Sequence, residues 1–371
     1  MKTGTGRNSG GDEYYMRMAL SLAMRGTGAV SPNPKVGCVI VDEGEIVAFG
    51  YHRRCGAPHA EADALRNAGE RARGCAVYVN LEPCCHQGRT PPCCDALISA
   101  GVGRVVIGME DPNPVVSGGG VRRLSEAGID VTVGVMSDEC RWLNRGFVRN
   151  MTAGRPWITV KAAISYDGDM ALSNGESRWI SGPESRKRAH MMRSENDAVL
   201  VGIGTVMADN PALTVRDVDG RSPQKVVLDR NLDTPPDSEI LKGGGCVIFA
   251  GRSADAERER ALTERGAEVV RQQGRGSRIS LADVVSELAS RGVNYLMVEG
   301  GPRIISSFIS ENLVDEFSLF AAPKILGRGL SLYGDVTLTN MEEAISMKNV
   351  RTSMIGDDIW IEGVPSCSPA L

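Results

Sequence analysis

Two successive α/β domains are what this sequence predicts, and three observations carry the prediction. The chain has 371 residues, about twice an ordinary domain. Helix-period and strand-period segments alternate along both halves. Between them, residues 150–156 form a polar stretch holding a glycine and a proline, the composition of a seam. With 42% hydrophobic and 24% charged residues, each half can bury a core. The expected division is a disordered head at 1–11, a first domain at 12–150 and a second at 151–371.

The elements follow in order. Residues 14–25 read as a helix with Ala19, Leu20, Ala23 and Met24 on one apolar face. Ser31-Pro-Asn-Pro is a loop, because two prolines forbid regular structure. Residues 36–41 and 45–50 read as a hairpin across Asp42-Glu-Gly. Pro58 suits the first position of a helix over 58–71. Residues 75–80 read as a strand, Pro91-Pro92 precedes a helix ending near Gly101, and 104–107 is the next strand. The order α-β-β-α-β-α-β predicts a three-layer domain. Beyond the seam, strands are expected at 157–163, 198–201, 225–229, 246–250 and 295–298. Helices are expected at 183–193, at 281–291 and from Arg303. Gly243-Gly-Gly and residues 272–277 read as surface loops.

The net charge of −4 argues against a nucleic-acid partner, which needs a basic surface. A local basic pocket for a small phosphorylated molecule is compatible with it. Residues 1–11 are polar, and no apolar run approaches the roughly 18 residues of a membrane span. Seven of the 10 cysteines fall in the first hundred residues, beside histidines. Together these predict a reduced, cytoplasmic setting, with metal or catalysis rather than disulfides as the use of the thiols.

The central constellation is His59-Ala-Glu61, then Pro83-Cys84, then Cys93. One histidine and two thiolates give zinc three ligands and leave a fourth position for water, whose pKa the metal lowers. Glu61 is then free to carry the proton. Both His59 and Cys93 follow prolines at expected helix starts, where the helix dipole favours a thiolate. Eight residues separate Cys84 from Cys93, whereas the usual zinc-deaminase pattern has two, and Cys85 and Cys94 are two further thiols. The chemistry alone leaves open a deaminase, a structural zinc site or unmetallated core cysteines.

In the second half, Val201-Gly-Ile-Gly-Thr-Val-Met-Ala-Asp-Asn-Pro-Ala-Leu-Thr-Val-Arg216 follows a strand but is not G-x-G-x-x-G, so a Rossmann fold is excluded. Val298-Glu-Gly-Gly-Pro302 is another strand-to-helix turn, and amides at such a helix start suit a phosphate.

The surrounding residues carry a resemblance. Ser31-Pro-Asn-Pro-Lys-Val-Gly-Cys-Val-Ile-Val, Gly56-Ala-Pro-His-Ala-Glu61, Leu81-Glu-Pro-Cys-Cys-His-Gln-Gly-Arg-Thr-Pro-Pro-Cys93 and Asp111-Pro-Asn-Pro114 resemble the deaminase domain of the riboflavin pathway. The long Cys84-to-Cys93 insert is that family's own pattern. Lys161-Ala-Ala-Ile-Ser-Tyr-Asp-Gly168, Ser177-Arg-Trp-Ile-Ser181 and the two glycine-rich turns resemble the reductase domain of the same bifunctional family. The resemblance implies a cytidine-deaminase-like three-layer domain followed by a dihydrofolate-reductase-like α/β domain. It assigns one Zn2+ per chain to His59, Cys84 and Cys93, with Glu61 as proton shuttle. Substrate contacts in the deaminase would be Asn33, His52, His86 and Arg89. In the reductase, Ser177, Arg193, Leu213, Arg216 and Glu299 would meet substrate, the two arginines as partners for a sugar phosphate. NADPH would meet Ala163, Trp179, Thr205, Asp209 and the turn Gly301, Pro302, Arg303, Ile304, Ile305, Ser306 and Ser307.

The implied chemistry is deamination of a diaminopyrimidinone ribosylamino 5′-phosphate, then reduction of its ribosyl group to ribityl, by a homo-oligomer (dimer or tetramer). Two departures stand out: Cys85 replaces a small polar residue, and Asp169 replaces the usual basic residue after Asp-Gly. Cys94 reads as helix packing. Two rivals remain on sequence grounds: a nucleoside or tRNA deaminase with an inert second half, and a zinc-stabilised binding protein. The acidic balance counts against the first. Glu61 beside His59 counts against the second, since structural zinc prefers four protein ligands.

Overall fold

A computed structural model describes residues 9–85, 91–113, 116–272, 278–334, 336–369 and 371. The chain divides into two compact units, Met1–Ala153 and Gly154–Ala370.

The first unit runs α1 (Ser9–Met24), β1 (Gly37–Asp42), β2 (Glu45–Tyr51), α2 (Ala60–Ala68), β3 (Ala76–Leu81), α3 (Cys93–Ala100), β4 (Arg104–Met109), α4 (Gly119–Glu126), β5 (Asp130–Val133), α5 (Ser137–Leu143) and α6 (Arg145–Ala153). Its sheet has the order β2-β1-β3-β4-β5. The hairpin β1–β2 and the pair β1–β3 are antiparallel, and β3, β4 and β5 are parallel. Strand alternation divides the core between two faces. Cys38, Ile40, Val77, Val105 and Ile107 meet α2, α3 and α4 through Ala60, Ala64, Leu97 and Leu124. Val39, Val41, Tyr78 and Val106 meet α1, α5 and α6 through Met16, Ala19, Cys140 and Val148. Helices therefore cover both faces of the sheet, which is the expected three-layer arrangement. One close approach fixes α2: a Cβ at Gly50 would lie 2.4 Å from Ala64 N and 2.5 Å from Ala60 O. Only glycine lets that helix lie on β2.

Three expectations are corrected here. Ser9–Gly11 are not part of a disordered head but the start of α1, and residues 1–8 lie outside the described residues. The helix start is tied down by Asp12, whose carboxylate accepts from Arg104 (3.0 and 2.8 Å) and the Tyr78 hydroxyl (3.0 Å). Pro58 does not open α2: His59 is its N-cap, with extended backbone (φ −69°, ψ 163°). The Pro58 carbonyl is instead engaged by His52. Residues 150–153 are not linker but the end of α6, and the two units part at Gly154. Gly146 and Arg149, three residues apart and both buried, give that helix an inward face in spite of its polar residues.

The second unit contains β6 (Trp157–Ile164), β7 (Asp169–Ala171), α7 (Pro183–Glu195), β8 (Ala198–Gly202), α8 (Ile203–Asp209), β9 (Gln224–Leu228), β10 (Cys246–Ala250), α9 (Ala256–Glu264), β11 (Ala267–Arg271), α10 (Leu281–Ser290), β12 (Tyr295–Val298), α11 (Pro302–Ser310), β13 (Glu316–Ala321), β14 (Leu330–Ser331), β15 (Met347–Ile355) and β16 (Asp358–Pro365). Nine strands form one sheet in the order β11-β10-β9-β8-β12-β6-β13-β16-β15. From β11 to β13 all neighbours are parallel, and β16 and β15 close the far edge antiparallel. A separate ribbon pairs β7 with β14.

Again the central strands feed two cores. Leu200, Val226, Val247, Leu296 and Val298 pack with α10 and α11, while Val199, Val201, Val227, Ile248 and Met297 pack with α7, α8 and α9. After β8 the chain steps outward to β11, and β12 then returns between β8 and β6. The carboxyl ends of β6, β8 and β12 are thus brought side by side, where open α/β sheets form their ligand crevice. Of the expected surface loops, residues 273–277 lie outside the described residues. Among the described residues no helix is long and apolar enough to cross a membrane.

Candidate active sites

In the first unit, the end of β3 and the starts of α2 and α3 converge. His59 caps α2, Cys93 is the first residue of α3, and Cys84 follows β3 by way of Pro83. His59 Nδ1 lies 3.3 Å from Cys93 Sγ and 3.6 Å from Cys84 Sγ. Their ligand atoms all fall within 4.8 Å of one another. A tetrahedral zinc with ordinary Zn–N and Zn–S bonds holds its nitrogen and sulfur ligands about 3.5 Å apart. The two nitrogen–sulfur edges of the trio therefore have the length a tetrahedral zinc ion requires.

The electrostatics agree. The Cys84 thiol is pulled down to about 4 by hydrogen bonds from the Cys93 thiol, His59 and the Cys93 backbone N–H. His59 is pushed up by its contact with Cys84. Cys93, facing the Cys84 sulfur, buried and near Glu61, is pushed up in turn. Two sulfurs and a carboxylate crowded onto one imidazole make a donor set that a dication stabilises.

Glu61, the second residue of α2, is 3% exposed. Burial pushes its carboxyl up, and the Cys84 thiolate adds to that, against the opposing pull of His59. The His52 ring stands 5.6 Å from that of His59, edge to face. Its Nδ1 lies 3.0 Å from the Pro58 carbonyl, and its Nε2 lies 3.1 Å from Asn33 Nδ2. The only assignment that satisfies both contacts makes Nδ1 the donor and Nε2 the acceptor, with burial holding the ring neutral. Asn33 and His52 are thus gathered with the metal trio. His86 and Arg89 lie outside the described residues.

The two other cysteines of the cluster go elsewhere. Cys94 is fully buried, its thiol donating to the Pro83 carbonyl and pushed up to about 12 by burial. Cys85 packs against the α2–α4 core.

One residue of this site escaped the sequence. Glu82, buried at the end of β3, accepts from four backbone N–H groups: Asp111 (3.0 Å), Gly118 (3.1 Å), Gly120 (2.8 Å) and Val121 (3.2 Å). It ties the start of α4 and the Asp111 loop to the strand that delivers Cys84. A carboxylate two residues before a ligand, on a strand with no basic residue nearby in sequence, was the available signal.

In the second unit a cleft of about 1640 Å³ opens at the carboxyl ends of β6, β8 and β12. Ala163, Ser177, Trp179, Thr205, Asp209, Leu213, Arg216, Glu299 and the Gly301–Ile304 turn (residues 301–304) all line it, with Arg193. Trp179 is 62% exposed, with Arg186 over its ring at 4.6 Å. Ile305, Ser306 and Ser307 depart from expectation. Ile305 belongs to the core, Ser306 is buried, and the Ser307 hydroxyl bonds back to the Arg303 carbonyl. Helical rotation turns only the first turn of α11 toward the cleft.

The two arginines also differ. Arg193 is closed fork-on-fork with Glu299 (2.7 and 2.9 Å) and reaches the Thr214 carbonyl. Its guanidinium is the counter-ion of a buried carboxylate. Arg216 is exposed, and among the described residues it forms no ion pair; its backbone N–H donates to His190 Nδ1 (3.2 Å). Lys161 and His190 are cleft residues that sequence reasoning left without a role. Lys161 Nζ stands 3.8 Å from Glu299, and burial pulls its ammonium down.

Fold and sites together define a zinc-binding deaminase domain joined to a dihydrofolate-reductase-like reductase domain. Comparison with known proteins agrees along the whole chain. Residues 9–109 match the cytidine and deoxycytidylate deaminase zinc-binding region, and residues 156–361 match the RibD C-terminal domain. The riboflavin biosynthesis protein RibD of Aquifex aeolicus is 44% identical over 351 residues, covering 94% of this chain and 97% of that one. Its Escherichia coli counterpart is 43% identical over 94% of this chain and 98% of its own. Among solved structures, Acinetobacter baumannii RibD superposes with a TM-score of 0.89 at 35% identity, covering 97% of this chain and 100% of that one. The Thermotoga maritima diaminohydroxyphosphoribosylaminopyrimidine deaminase/5-amino-6-(5-phosphoribosylamino)uracil reductase gives 0.86 at 34%, with the same coverage. The chain belongs to the RibD family of bifunctional deaminase–reductases of riboflavin biosynthesis.

Proposed function

We propose that the first unit deaminates 2,5-diamino-6-ribosylamino-4(3H)-pyrimidinone 5′-phosphate and that the second reduces the ribosyl group of the product with NADPH. The observation that carries the first step is the His59, Cys84 and Cys93 trio with buried Glu61 two residues from His59. Zinc, when bound there, supplies a Lewis acid that brings the pKa of water toward neutrality. Glu61 takes the proton from the attacking water and returns it to the departing amine. Its raised affinity for a proton suits both halves of that transfer. Asn33, held by His52, offers its amide to the pyrimidine edge. With its ring kept neutral, His52 can orient Asn33 without adding a cation beside the metal.

In the second unit the cleft exceeds the roughly 300–1,000 Å³ of a single small-molecule pocket, which fits cofactor and substrate together. NADPH brings the hydride. The protein's part is to place and polarise. Trp179 and the residue 301–304 turn border the cofactor. Arg216, an exposed cation that forms no ion pair among the described residues, holds the sugar phosphate, while Arg193 keeps Glu299 ionised and in place. Family membership supports a homo-oligomer as the working form.

The test is stoichiometric. Zinc-loaded protein supplied with the diaminopyrimidinone and NADPH should release one ammonia and oxidise one NADPH per substrate consumed. Ammonia release without NADPH oxidation would refute the second assignment, and the converse the first.

A further inference from the structure

The loop after β6 and the loop after β13 are joined by carboxylates. Asp167 accepts from the backbone N–H of Leu326 (3.1 and 3.2 Å to its two oxygens), from Gly327 N–H (2.8 Å) and from the Ser165 hydroxyl (2.5 Å). Two residues on, Asp169 Oδ2 accepts from Gly329 N–H (2.9 Å), and its own N–H donates to Ser165 Oγ (3.0 Å). Tyr166 N–H donates to the Lys324 carbonyl (2.7 Å), and Lys324 Nζ reaches the Trp179 carbonyl (2.6 Å). These contacts run along the whole joined segment.

What they join is the β7–β14 ribbon, which is not part of the nine-stranded sheet. It pairs through only Leu330 with Ala171 and Ser331 with Asp169. Met170 and Ala171 from one strand, with Leu330 and Ser331 from the other and Gly329 just before it, line the reductase cleft. So short a ladder is not stable by itself. Its fit is nevertheless tight: a Cβ at Gly329 would lie 2.3 Å from the Ala171 carbonyl and 2.7 Å from Asp169 Oδ2. The Asp167 carboxyl is held down at about 2 by the Ser165 hydroxyl and the two loop amides, so Asp167 is ionised across the working pH range.

We propose that Asp167 and Asp169 are positioning residues for the reduction: together they clasp residues 326–329 and fix the β7–β14 ribbon as one wall of the cleft. The inference rests on the reductase reading above. Neither carboxylate lines the cleft. Their effect passes through the backbone of the ribbon, and misplacing a wall that orients reactants costs rate even when no contact to them is lost.

The test uses the full, zinc-loaded chain and the already deaminated substrate. Asp167→Ala, Asp169→Ala and Gly329→Ala should each lower kcat/KM for NADPH oxidation by roughly 10- to 100-fold, mostly through kcat. Ammonia release from the amino substrate should stay at the wild-type rate. Asp169→Asn keeps an oxygen that accepts from Gly329 N–H and should restore most of the activity, which a need for the charge itself would not allow. Amide hydrogen exchange of Gly327 and Gly329 in the free protein should be slow in the wild type and fast in the Asp→Ala variants. Because Asp167 is exposed, its removal spares the core, and that variant should fold normally. Wild-type kcat and KM in folded Asp167→Ala and Asp169→Ala proteins would overturn the proposal, as would equal amide exchange. A wild type with protected amides that oxidises no NADPH would instead indict the reductase reading.

Discussion

Glu61 is a carboxyl buried close to the Cys84 and Cys93 sulfurs, the position that the proposed proton transfer requires. Glu61→Gln keeps the shape and the hydrogen-bonding reach but cannot shuttle. Zinc content should stay at one per chain while ammonia release falls by about 10²–10⁴. Deamination near the wild-type rate would reduce Glu61 to scaffold. The thiols make a second residue-scale prediction. Cys84→Ala and Cys93→Ala should lose both metal and deamination, because each removes one of three ligand atoms within 4.8 Å of one another. Cys94→Ala should keep its zinc, since that thiol bonds to the Pro83 carbonyl, and Cys85→Ser should too. Metal analysis of the four purified variants decides it, and zinc lost from Cys85→Ser in place of Cys84→Ala would overturn the ligand set.

At the scale of elements, the buried Arg193–Glu299 pair links α7 to the turn after β12. Burial pushes the Glu299 carboxyl up, but Arg193 and Lys161 outweigh it and hold the group at about 2. A carboxylate depressed below its free value of about 4.3 contributes stability that is fully present above that value. The contribution is lost as pH falls from there toward 2. Acid unfolding of the second unit should therefore steepen in that window, and Glu299→Gln should flatten it. At neutral pH the same substitution leaves two cations facing an amide and should cost about 3–5 kcal/mol, read by denaturant titration. A loss under 1 kcal/mol would mean the pair is solvent-screened.

The elements also show what a sequence can and cannot disclose. Strands β10 and β12 and helix α3 lie where their apolar runs and flanking Pro or Gly put them, because burial on both faces leaves a continuous hydrophobic signal. Strand β15 left no such signal, since all but one of its residues are exposed, and the two-residue β14 is too short for any period. The metal trio was legible because its residues are chemically rare and two of them, His59 and Cys93, sit at helix starts. The Arg193–Glu299 closure was not, because the partners are 106 residues apart and nothing local pairs them. Asp169 reads in the sequence as an acid where a base is usual. In three dimensions its carboxylate accepts from Gly329 N–H, a role only the meeting of two distant loops reveals.

At the scale of the whole molecule, two chemistries are carried by separate sheets, each with its own cores and its own cluster of charged groups. Arg216→Ala should therefore raise KM for the phosphorylated substrate in NADPH oxidation, by about 10- to 100-fold for one charge-assisted contact. It should leave ammonia release unchanged. Collapse of deamination in a folded, zinc-loaded Arg216→Ala protein would show that the sites depend on each other.

The most direct measurement of that separation follows both partial reactions in a single preparation before and after its zinc is stripped by a chelator. Deamination should vanish with the metal and return in proportion to zinc restored. NADPH oxidation on the deaminated substrate should keep its kcat and KM throughout. Ammonia release that survives complete removal of zinc, or hydride transfer that fails with it, would contradict the account.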